Sequence, residues 1–67
     1  MEKQMSKEIY SENTIKKAVA DYKDFAKMGV SETGSYWNID FSDFRYDDKQ
    51  TVSEFENYLI GLENAGM

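Results

Sequence analysis

The chain has 67 residues, enough for one domain and close to the size below which a single core needs staples or a partner. It contains no cysteine and no histidine, which excludes disulfides and thiolate metal sites and removes the usual general base near neutral pH. Thirteen acids against eight bases give a net charge of −5, unevenly spread: residues 1–27 sum to +1 and residues 28–67 to −6. An acidic second half argues against nucleic-acid binding, which needs a basic footprint, and suits a basic protein partner.

In chain order, residues 1–6 are polar and without period, so they are expected to form a flexible N-terminal tail ahead of a single domain over residues 7–67. Lys7 to Tyr10 has room for a short strand. Ser11 is a good N-cap, and Tyr10 and Ile15 have the spacing of a hydrophobic staple. Ile15, Ala18, Val19, Tyr22, Phe25 and Ala26 then recur at helical spacing, and Gly29 offers a left-handed stop. These signals predict a helix over residues 12–28.

Trp37, Ile39 and Phe41 alternate with Tyr36, Asn38 and Asp40, the period of a half-buried strand. Thr33-Gly34 is the expected turn of a hairpin pairing Val30–Glu32 with Tyr36–Phe41. Phe44 and Tyr46 fall on the opposite parity, so residues 42–50 are open between a third strand and a loop. Thr51-x-x-Glu54 and Ser53-x-x-Glu56 are alternative capping boxes for a second helix, whose apolar stripe is Val52, Phe55, Tyr58, Leu59 and Leu62. Gly61 interrupts it and Asn64-Ala65-Gly66 ends it. The expected fold is α+β in the order β-α-β-β-α, a small three-stranded sheet with two helices packed on one face.

No catalytic signature emerges. The serines and threonines sit at caps and turns, and there is no glycine-rich phosphate loop or dinucleotide fingerprint, so neither an enzyme nor a cofactor is expected. Asp40, Asp43, Asp47 and Asp48 are the densest acidic group, but their spacing fits no EF-hand loop and reads as a solvated connector. Lys16, Lys23 and Lys27 project to one side of the expected helix, as an anion-binding edge or as stems covering the apolar stripe. Trp37 is either core or partner contact, and Tyr36 with Phe44 or Tyr46 could form an aromatic strip on the uncovered sheet face. Ile60 lies off the main stripe of its helix. The candidate partner-binding set is therefore Tyr36, Trp37, Asp40, Phe44, Tyr46 and Ile60. No apolar run approaches a membrane span and the opening MEKQMSKE has no hydrophobic signal region, so a cytoplasmic protein without membrane contact is expected.

The segment EIYSENTIKKAVADYKDFA resembles the start of HxsD-like proteins, small proteins encoded beside radical SAM enzymes in His-Xaa-Ser peptide maturation systems. The matching positions are Tyr10 and Ser11 at the entrance to the helix and Ile15, Ala18 and Tyr22 within it. SYWNIDF and EFENYLIGLEN correspond to the family's hairpin strand and final helix, so the resemblance covers about residues 8–64. It implies an accessory protein that binds a radical SAM maturase or its precursor peptide, and it supplies no catalytic residues. The alternative from the charge distribution is a small acidic phage-type or antitoxin-like inhibitor that occludes a basic site on a partner protein.

Overall fold

A computed structural model describes residues 1–65 and gives five elements: β1 (Glu2–Ser6), α1 (Glu12–Asp21), β2 (Lys27–Thr33), β3 (Tyr36–Ser42) and α2 (Asp48–Asn64). The order is the expected β-α-β-β-α of a small α+β fold. β3 lies in the centre of the sheet, antiparallel to both β1 and β2. The two outer strands therefore run parallel to each other, and α1 crosses over the strand that separates them.

The first strand lies earlier than expected. Residues 1–6 are not a tail: Glu2 to Ser6 pair with Asp40 back to Tyr36. Lys7–Tyr10 instead form a turn, closed by bonds from the Ile9 and Tyr10 amides to the Ser6 carbonyl. The strand carries no apolar period because, of its five residues, only Met5 is an apolar residue buried in the core, while Glu2 and Gln4 are exposed. Backbone pairing, which carries no side-chain signature, holds the segment in place.

Ser11 caps α1 as expected, its Oγ accepting from the Thr14 amide. The helix ends at Asp21 rather than at residue 28. Tyr22, Phe25 and Ala26 continue the helical period in sequence but lie in the turn that follows, and Lys27–Gly29 pair with Ser42–Asp40 as the start of β2. Gly29 is thus a strand residue, not a helix stop. Sheet pairing and ring packing outweigh local periodicity here, as tertiary context routinely does for weak propensities. The hairpin turn is Gly34-Ser35, one residue later than expected, with Gly34 at φ 56°. A positive φ at the first loop position and not the second matches a type II′ turn and suits glycine.

Residues 43–47 form a loop, not a third strand. α2 begins three residues before Thr51, because Asp47 is its N-cap: Asp47 Oδ1 accepts from the Gln50 amide at 2.8 Å. Asp48 occupies the first turn, where the helix dipole favours a negative charge. The expected stop at Gly66 lies outside the described residues.

Ile15 and Ala18 of α1, Val52, Phe55 and Leu59 of α2, and Met5, Trp37, Ile39 and Phe41 of the sheet make one core. The odd-numbered residues of β3 face the helices, so both helices lie on one side of the sheet. A chain of rings stitches the layers. Phe41 stacks on Phe44, Phe55 meets Phe41 edge-on at 5.3 Å and Tyr22 edge-on at 5.5 Å, and Phe25 bridges Tyr22 and Tyr46.

Three polar ties join the helices, one of them from the Tyr22 hydroxyl to the Glu54 carbonyl at 3.4 Å. The Ser11 backbone N–H donates to Glu63 Oε1 at 2.8 Å, so the carboxylate of a capping box comes from the far end of α2 rather than from α1 itself. The Tyr58 hydroxyl donates to Asp21, and with Lys17 at 3.1 Å it holds that carboxyl below its ordinary range.

Two outcomes follow for stability. Gly61 is exposed in the last turn of α2 with open space where a Cβ would stand. Gly61→Ala should therefore stabilise the domain by about 0.5–1 kcal/mol in urea unfolding. Hydrogen bonds from the Thr14 hydroxyl and then the Ser11 amide hold the Glu63 carboxyl below its ordinary value. A depressed folded-state value adds stability above the unfolded pKa and loses it as pH falls through the folded one. Wild type should thus exceed Glu63→Gln in stability at neutral pH, with the gap closing as acid is added below the ordinary glutamate range.

A candidate docking edge on β2

The open face of the sheet carries Glu2, Gln4 and Ser6 from β1, Tyr36, Asn38 and Asp40 from β3, and Gly29, Ser31 and Thr33 from β2, as the register dictates. This face is polar. Asn38 at its centre is buried, its Nδ2 donating to Thr33 Oγ1 at 2.6 Å. The expected aromatic strip is not there: Phe44 packs on Phe41 and Tyr46 on Phe25, so neither joins Tyr36.

The other candidate residues are similarly dispersed. Trp37 lies on the core side, 8% exposed, with its indole N–H on the Tyr10 carbonyl at 2.9 Å. Asp40 is exposed on the open face, 3.8 Å from the Met1 amine. Tyr46 is exposed in the loop before α2, and Ile60 is exposed on α2 itself. The acidic group is dispersed too, with Asp47 engaged as a helix cap. Among the described residues no cluster of three or more His, Cys, Asp or Glu side chains could hold a metal ion, and no helix is long and apolar enough to cross a membrane.

What sequence reasoning missed is the edge formed by β2. Phe41 exchanges two backbone bonds with Met1, donating to its carbonyl and accepting from its amine. In an antiparallel ladder this places the backbone groups of the odd-numbered β3 residues toward β1 and those of the even-numbered ones toward β2. Their partners Gly29, Ser31 and Thr33 therefore turn inward, and Met28, Val30 and Glu32 present N–H and C=O groups outward along an unpaired edge. The side chains of those same three residues lie on the helix-facing side of the sheet, because Met28 and Val30 pair with Phe41 and Ile39.

The helices do not cover that side of β2. A groove of about 440 Å³ runs between α1 and β2, with Val30 and Trp37 on the sheet side and Ile15, Val19 and Ala20 on the helix side. Its rim is polar: Glu12 pairs with Lys16 at 3.7 Å and Glu32 with Lys7 at 2.9 Å, while the Lys7 ammonium sits 4.9 Å from the Trp37 ring centroid. Ala20 on the helix side is exposed and Val30 on the sheet side is 45% exposed, so the middle of the groove is unfilled. Of the six residues singled out in the sequence, only Trp37 lines it.

β1 also has a free edge, but its outward-facing residues Glu2, Gln4 and Ser6 carry polar side chains on the open face. An unpaired edge beside an apolar groove occurs on β2. Comparisons with protein-family models, with curated proteins and with solved structures return no match to this chain.

The division between core and groove floor is measurable. Ile39, fully buried, should cost about 2–5 kcal/mol on truncation to alanine. Val30→Ser, at the half-exposed groove floor, should cost about 1 kcal/mol or less in the same unfolding assay.

Proposed function

We propose that this chain is a non-catalytic accessory protein of a ribosomal peptide maturation system, and that it holds an extended segment of the precursor peptide, or of the radical SAM maturase, along the edge of β2. One observation carries the docking mode: outward backbone groups at Met28, Val30 and Glu32 stand directly beside an unfilled apolar groove. Strand addition uses both features at once. Main-chain bonds give affinity regardless of sequence, and a pocket beside the edge selects alternate side chains. The maturation context comes from the resemblance of the segment around Tyr10, Ser11, Ile15, Ala18 and Tyr22 to HxsD-like proteins.

Catalysis has no part in this reading. The tyrosines Tyr22 and Tyr58 are raised above their ordinary values, the first mainly by burial and the second by its bond to Asp21. Both changes belong to the seam between α1 and α2 rather than to the groove.

The test is a backbone-amide titration of the labelled protein with a His-Xaa-Ser precursor peptide and its maturase. Shifts should centre on Met28, Val30 and Glu32, with a change in Trp37 fluorescence. Ala20→Phe fills the groove from an exposed helix position and should weaken binding at least about tenfold, with the fold retained. Shifts confined to Asp43–Asp48 with steep salt dependence would instead favour the acidic inhibitor.

A further inference from the structure

A second hollow of about 370 Å³ shares Val19 with the groove and is lined by Lys23 from the α1–β2 segment, Lys27 and Met28 at the start of β2, and Asp43 and Arg45 from the loop after β3. Four of the eight basic side chains form ion pairs in the folded chain: Lys3, Lys7, Lys16 and Lys17. Lys23, Lys27 and Arg45 form none among the described residues, and all three line this one hollow, Lys27 from the open-face side of β2. Among the described residues Asp43 is the single carboxylate lining it, so the spot is locally cationic on a protein whose net charge is −5.

The hollow is also held in shape. The Arg45 backbone N–H donates to the Phe25 carbonyl at 3.0 Å, and the Phe25 and Tyr46 rings pack at 5.5 Å. The two segments that carry the cations are thereby tied together without using their charges. Uncompensated cations at a fixed position favour an anionic partner and disfavour a cationic one.

We infer that the strand docked on β2 is an acidic extended peptide, with an apolar side chain seated against Val30 and Trp37 and one or more carboxylates beyond it meeting Lys23, Lys27 and Arg45. This inference rests on the docking mode proposed above and adds the chemistry of the occupant. Lys27 opens β2 and Val30 lies three residues on, which is about 10 Å along a strand. Because side chains alternate between faces along a strand, a carboxylate on the groove side belongs two or four positions from the apolar anchor in the bound peptide. The cations then select among peptides, while the edge supplies the bonds common to all of them.

The experiment uses blocked seven-residue peptides of alternating threonine and valine, with a central phenylalanine and a pair of aspartates at either end. Matched peptides carry asparagine or lysine pairs instead. Binding is read by Trp37 fluorescence and by the amides of Met28, Val30 and Glu32. The aspartate peptide should bind at least about fivefold tighter than the asparagine one at low salt, and the lysine peptide weakest. The doubly reversed variant Lys23→Glu with Arg45→Glu should erase or invert that order, while Lys49→Glu, away from this hollow, should preserve it. Equal binding of all three peptides, with the β2 amides shifting, would overturn the acidic occupant and leave strand docking standing. No shift at β2 with any peptide would overturn both. A concentration-dependent dimer in sedimentation, with Met28, Val30 and Glu32 protected, would overturn it in favour of a second copy of this chain.

Discussion

The fold depends on how α2 sits on the central strand. Phe55 meets Phe41 edge-on, and Ile39 and Leu59 are fully buried in the same cluster. A 67-residue chain without disulfides has few other sources of stability, so its large side chains concentrate there. The rings then extend the contact outward through Tyr22, Phe25 and Tyr46 to the ends of α1 and the loop before α2. This accounts for the aromatic richness of the chain: most of the rings join layers rather than covering the outside.

Concentrating the packing on β3 has a consequence at the sheet's margin. α1 is ten residues long and buries Thr14, Ile15 and Ala18, leaving Val19 half-buried and Ala20 exposed. β2 receives little of that cover, and six of its seven residues are exposed. The strand is secured by its ladder with β3 and by the Gly34 turn more than by burial. An edge held in this way is a liability unless it is blunted or used. Lys27 and Glu32 give it charge at both ends, and Val30 keeps its middle apolar. Charged ends with an apolar middle restrict which strands can pair there without closing the edge altogether.

The legible parts of the sequence were those in which side chains report their own burial. Ser11 as a cap, the Trp37-Ile39-Phe41 alternation, and Val52, Phe55 and Leu59 as a stripe all stand where their pattern implies. The illegible parts were those held by backbone. β1 is polar apart from Met5, so nothing in it announces a strand. Lys27–Gly29 read as the end of a helix because Phe25 and Ala26 keep helical spacing up to the point where the chain turns. The groove was hidden for the same reason: it depends on which edge of β3 each neighbour occupies, a fact of topology rather than of composition. Lys23 and Lys27 were visible as a pair on an imagined helix, but their convergence with Arg45 required the turn that replaces its last part.

Hydrogen exchange of the free protein tests the central claim most directly, because it reads the ladder residue by residue. With β3 in the middle and β2 at the edge in the register found, the amides of Gly29, Ser31 and Thr33 are bonded to β3 and should exchange slowly. Those of Met28, Val30 and Glu32 face outward and should exchange close to the rate of an open chain. Uniform protection along residues 28–33, or protection alternating in the opposite phase, would contradict the free edge and the groove reading built on it.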